Sequence, residues 1–212
     1  MYWQEKILGG KPAGVFQVWT RADAQKAAYD YRGKVHVMAA GGQFIGQPDV
    51  FVLPHGGGLT LGWASGAVPI RYADLGSLPR SPRALDRYLG RLPLPGWGPA
   101  PFREFEVIKE LLTTYVMPPG LTAELYRALG DIPGVTADNH AVDVAGRPGV
   151  GFTITMPPSN GGGKDEIIIN ARTYHLMGQE LIRTAPAGSR GKVLSGTAIL
   201  RTALVAGPGV LP

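Results

Sequence analysis

Hydrophobic and polar positions along this chain change period twice. From Tyr2 to Ala39 short runs, loosely alternating at Tyr2–Leu8 and clearest at Val15–Arg21, are divided by turns, which predicts strands. Tyr2–Leu8, Val15–Arg21, Lys26–Arg32 and Lys34–Ala39 are those runs, with turns at Gly9-Gly10-Lys11-Pro12 and Arg32-Gly33. The order predicts a meander of antiparallel strands. Between Ala40 and Pro69 the signal thins to two short strands, Val50–Leu53 and Leu59–Trp63, among glycine- and proline-rich loops.

The period then becomes helical. Ser81-Pro82 reads as an N-cap with proline at the first helical position. Leu85, Tyr88, Leu89 and Leu92 give the helix that follows an apolar side. Pro93–Pro101 is irregular, and apolar helices on both sides make it an ordered crossover. From Pro101 to Pro133 two amphipathic helices are predicted, joined at Met117-Pro118-Pro119-Gly120, where a helix cannot continue. Phe102, Phe105, Ile108, Leu111, Leu112 and Tyr115 form the stripe of the first, with Arg103, Glu104, Lys109 and Glu110 opposite. Leu121, Leu125, Ala128 and Leu129 form the stripe of the second, and Gly134 is its stop signal. Strands return at Gly134–Val144, Val150–Met156, Glu166–Asn170, Met177–Thr184 and Val193–Val205. A one-sided helical hairpin in a strand-rich chain needs a sheet to cover. The expected fold is therefore α+β: one β-rich domain over 1–212 with a helical insert at about 81–133.

Composition agrees. There are 31 glycines and 19 prolines in 212 residues, a share that many turns require. Cysteine is absent, which removes disulfides, thiol catalysis and thiolate zinc sites. The net charge is +5. Its arginines and lysines are dispersed, apart from Arg80, Arg83, Arg87 and Arg91, which sit at near-helical spacing. Dispersion argues against nucleic acid as a partner; basicity is equally suited to an anionic membrane surface. No apolar run reaches the length of a membrane span, and MYWQEKIL lacks the basic start and apolar core of a signal peptide. Met1 leads straight into a strand-like segment, so any natural anchor is expected to precede this sequence.

The candidate chemistry is thin. His36, His55, His140 and His175 share no metal-ligand spacing. Pro54-His55-Gly56-Gly57-Gly58 is similar to an oxyanion-hole sequence, but no G-x-S-x-G elbow accompanies it; Ser65 and Ser195 lie in other contexts. Gly161-Gly162-Gly163-Lys164-Asp165 lacks the Ser/Thr and the helix of a phosphate-binding loop, and reads as a hairpin loop. Glu104, Glu106, Glu110 and Glu124 read as solvated helix positions beside Arg103 and Lys109. No catalytic residue, metal site or cofactor is expected. The aromatics Trp3, Trp19, Trp63, Trp97, Phe105 and Tyr115 suit a core, or else line an apolar cleft.

YADLGSLPRSPRALDRYL, FREFEVIKELLTTYVMPPGLTAELYRALGDIPGV, VDVAGRPGVGF and DEIIINARTYHLMGQELI, in that order before a long final strand, resemble an uncharacterised actinobacterial family. Its members carry a cytoplasmic segment, one membrane span and an ectodomain, and are often encoded beside an extracytoplasmic-function sigma factor. The resemblance runs from about Val18 to about Ala206. It is most specific at Leu78-Pro79 with Pro82 and Leu85, at Leu121–Val135, and at Gly146-Arg147-Pro148-Gly149. Where that family has an Asp-Pro-x-Thr turn, this chain has Asn170-Ala171-Arg172-Thr173. The layout is also similar to the LolA and RseB group, whose curled, open antiparallel sheets are packed with helices and bind acyl chains or lipoproteins. The resemblance implies a non-catalytic, extracytoplasmic sensor or interaction domain, membrane-anchored in the full-length protein, with a protein partner. The alternative is a carrier whose hydrophobic lipid or acyl ligand lies between sheet and helices; Trp19, Phe105 and Tyr115 are the expected lining of that cleft.

Overall fold

Two runs of alternating residues, one on each side of the helical segment, meet in one sheet. The computed structural model describes residues 2–8, 14–20, 27–31, 34–38, 50–52, 58–60, 70, 72–92, 98–118, 120–158, 162–183, 191–207 and 209–212. The first run gives β1 (Tyr2–Leu8), β2 (Gly14–Thr20), β3 (Ala27–Tyr31) and β4 (Lys34–Met38). The second gives β7 (Thr136–Val142), β8 (Pro148–Thr155), β9 (Lys164–Ile169), β10 (Leu176–Arg183) and β11 (Lys192–Ala203). Between the runs, among the described residues, β5 (Val50–Val52) and β6 (Gly58–Thr60) pair only with each other.

The nine strands lie in the order β4-β3-β2-β1-β11-β10-β9-β8-β7 and every pairing is antiparallel. Each run is a meander, and β11 joins the two. The ladder is staggered: β11 pairs with β10 through residues 192–198 and with β1 through residues 196–203. Strands β4 and β7 end the sheet, which is not closed. The fold class is thus α+β on an open antiparallel sheet, as the patterning predicts.

The helical segment holds a 3-10 helix (Tyr72–Ser77), then α1 (Pro82–Leu89), α2 (Ala100–Thr114) and α3 (Leu121–Asp131). The expected hairpin is α2 and α3, with Gly120 at φ +81 heading α3 and Gly134 at φ +88 just beyond it. Both values favour glycine. The cover is larger than a hairpin, because α1 packs chiefly against α3. Ser81 stands at the cap position but its side chain makes no cap bond. Its backbone carbonyl accepts from the Ala84 and Leu85 amides instead.

The main core lies between these helices and one face of the sheet. Leu75, Leu85, Phe105, Ile108, Leu111, Leu121, Leu125 and Leu129 meet Ile154 and Met156 of the β8 segment and Ile167 of β9. The opposite face carries a smaller cluster of Ala141, Ile168 and Met177. Strand β9 is therefore buried on both sides, which suits its run of isoleucines.

The β7–β8 turn folds over that second face. Asp143 Oδ1 accepts from the Ala145 and Arg147 amides at 2.9 Å, and its Oδ2 accepts from Arg147 Nε at 2.8 Å and Nη2 at 2.5 Å. Arg147 Nη2 also donates to the Met177 carbonyl on β10 at 3.2 Å and to the Ile199 carbonyl on β11 at 2.8 Å. One planar guanidinium thus ties the turn to strands two and three places away in the sheet. Strand β8 begins at Pro148, earlier than the Val150 predicted. Proline is tolerated as a first strand residue. Gly149 is required there, since a Cβ would lie 2.6 Å from the Ile169 carbonyl.

Candidate functional site

Helix α2 and its C-cap carry two of the three aromatic residues expected to line a ligand cleft. Phe105 is 0 % exposed within the main core. Tyr115 is half-buried at the core's edge, and its hydroxyl donates to the Ile70 carbonyl at 3.2 Å. Trp19 lies on β2, beyond α2's neighbours in the sheet order, and its side chain is outside the described residues. His55, Ser65, Trp63 and Trp97 also lie outside the described residues. His140 and His175 are exposed, and Ser195 is half-buried on β11. Among the described residues no group of His, Asp and Glu side chains is placed to hold a metal ion, and no helix is long and apolar enough to cross a membrane.

Two positions read as solvated from the sequence are buried. Glu106 is 8 % and Lys109 3 % exposed. Residues 105–109 are a continuous buried run, because α2 is packed between its helical neighbours and the sheet rather than lying on the surface. Lys109 Nζ donates to Glu106 Oε1 at 2.7 Å and to Asp165 Oδ2 on β9. Burial alone would lower the lysine pKa, but the Asp165 and Glu106 carboxyls outweigh it and hold Lys109 above the ordinary lysine value. Burial, opposed by Lys109 and assisted by Asp165, raises Glu106 to about 8. At neutral pH a protonated Glu106 keeps the cluster from carrying a second buried negative charge.

A related pair joins α1 to α2. Burial first, then the charge and hydrogen bond of Asp86, raises Glu104 to about 7, while Arg103 opposes the shift. Two carboxyl groups in contact cannot both ionise cheaply. Such pairs are one of the arrangements that acid–base chemistry uses. Here the first lies in the core, and the second is half-buried between α1 and α2.

The outward face of α1 differs from both. Arg83 and Arg87 lie on the helix, and Arg80 and Arg91 flank it. All four are exposed; Arg83 and Arg87, four residues apart, form a stripe on the helix, with Arg80 and Arg91 beyond its two ends. Arg80 Nη2 donates to the Gly76 carbonyl at 3.3 Å. Among the described residues no carboxylate forms an ion pair with any of the four. Beside the stripe is an open recess of about 470 Å³ lined by Pro79, Ala84, Arg87, Tyr88, Arg91 and Leu92. Tyr88 is 38 % exposed on its rim. Sequence reasoning places the basic stripe; the recess arises where the Pro79 segment and the Leu92 turn flank α1, which periodicity does not report.

No protein-family model, curated protein or solved structure matches the chain.

Proposed function

We propose that the chain is a non-catalytic interaction domain, of the extracytoplasmic and membrane-anchored sensor type that the actinobacterial resemblance implies, on a LolA/RseB-like open sheet. The observation that supports this reading is what the resembling residues do. Leu78 and Leu85 are core residues and Pro82 starts α1. Leu121, Leu125, Leu129 and Ile132 bury the inner face of α3 and its end. Gly146 turns at φ +83, Arg147 clamps the turn to the sheet, and Gly149 permits close backbone approach. Asn170 keeps the turn that replaces Asp-Pro-x-Thr: its Oδ1 accepts from the Arg172 and Thr173 amides at 2.9 Å. These residues specify a scaffold, and a scaffold with an outward basic face suits recognition.

Contact of an acyl chain with Phe105 would require that ring to leave the core. Native mass spectrometry separates the readings. The interaction reading expects the bare mass of the chain and no saturable binding of a fluorescent fatty-acid probe. A lipid-sized adduct, or probe binding abolished by Phe105→Asp in a folded variant, overturns it in favour of the carrier.

A further inference from the structure

From the α1 face we infer that the protein docks an acidic polypeptide segment carrying an apolar anchor residue, the anchor entering the recess between Pro79 and Leu92. The inference rests on the interaction-domain reading and names its partner. Charge complementarity is the first reason. Arg83 and Arg87 form an exposed stripe on α1, Arg80 and Arg91 are exposed at its two ends, and none of the four has an ion-pair partner among the described residues. On a helix, side chains four apart stand about 5–6 Å from each other. Carboxylates at the same spacing on a partner helix, or on alternate residues of an extended segment, match that interval.

Shape is the second reason. Pro79, Ala84, Tyr88 and Leu92 bring apolar atoms to a hollow flanked by Arg87 and Arg91. A hollow takes a side chain inserted from outside. A membrane surface is instead engaged by apolar side chains that protrude into it. Single-stranded nucleic acid is held by successive aromatic platforms along a basic track, whereas Tyr88 is the one aromatic ring lining this recess. An anchored peptide uses both features: desolvation of the inserted residue supplies affinity, and the arginines supply orientation and on-rate.

The test is a titration of the purified protein with a fluorescein-labelled peptide of glutamates with leucines at helical spacing. The comparators are the same peptide with alanine at each leucine, labelled oligothymidylate, and phosphatidylglycerol–phosphatidylcholine vesicles. Saturable binding of the leucine peptide is expected. It should weaken at least about tenfold on leucine-to-alanine exchange, and similarly in Tyr88→Ala and in the double variant Arg87→Glu, Arg91→Glu. Circular dichroism and thermal unfolding confirm that these exposed-face variants stay folded. Absence of saturable peptide binding, binding indifferent to the variants, or tighter binding of vesicles or oligothymidylate overturns the inference. Such a failure beside a bare native mass leaves the interaction-domain reading standing, while a lipid adduct removes that reading itself.

Discussion

Lys109 on α2 and Asp165 on β9, 56 residues apart in the chain, form a buried ion pair that fastens the helical layer to the sheet. Glu106, one turn before Lys109 on the same helix, accepts from the same ammonium. A charge cluster inside an apolar interface adds little net stability but fixes which surfaces meet. Losing its centre is a different matter. Lys109→Met should destabilise the protein by about 3–5 kcal/mol, because it leaves two carboxyl groups buried without their cation. Urea unfolding monitored by circular dichroism measures this, and a loss under about 1 kcal/mol would show that the carboxyls find water.

The pH dependence follows from Glu106. Its carboxyl ordinarily titrates at 4.5 and is raised to about 8 in the folded chain. Between those values the folded state holds a proton that the unfolded state has released, so this group's contribution to stability falls as pH rises through the window. Glu104, raised to about 7, acts in the same direction and more weakly because it is half-exposed. Glu106→Gln carries no titrating proton, so its stability relative to wild type should improve from pH 5 to about pH 8 and then level off. Thermal unfolding across that range reads the difference; a gap that stays constant with pH would contradict the assignment.

Tyr126 offers a gain. Its ring stacks on Phe152 with centroids 6.4 Å apart and planes 1° from parallel. Its buried hydroxyl has no hydrogen-bond partner among the described residues, and burial raises its pKa. Tyr126→Phe keeps the stack and removes an unsatisfied polar atom, which should stabilise by about 1 kcal/mol. A higher urea midpoint with an unchanged slope is the expected result.

Arg147→Lys tests the clamp on the β7–β8 turn. A lysine keeps the charge but not the fork that serves Asp143 and two carbonyls together. A loss of about 1–3 kcal/mol is expected in equilibrium unfolding. Hydrogen exchange at Asp143 and Arg147, whose backbone groups bond each other at 3.0 Å, should accelerate more than exchange in α3.

What the sequence made legible was whatever depends on local period. The stripe of Phe105, Ile108 and Leu111 located α2 and its inner face, and short runs divided by turn residues located β1–β4 almost to the residue. Lys109 and Glu106 escaped because a charged residue on a helix declares its chemistry but not its distant partner; Asp165 sits in another part of the chain. The same limit applied to Phe105. Apolar spacing marks a residue as inward-facing without saying whether it meets a packed core or a hollow, and here it meets Leu111 and the other residues of the main core. The Pro79–Leu92 recess depends on how two turns flank α1, which no periodicity encodes.

The staggered pairing of β11 has a consequence for biogenesis. Strands β1 and β10 each depend on β11 for one side of their hydrogen bonding, and only residues 196–198 of β11 are paired on both sides at once. During vectorial synthesis β1 therefore emerges as an open edge and stays one until residues 196–203 of β11 have been made. Unpaired edges invite pairing with other chains, and contacts this distant in sequence form slowly. Chains interrupted before Lys192 would expose two edges that both await β11, so a cell making this protein has reason to shield or degrade incomplete copies.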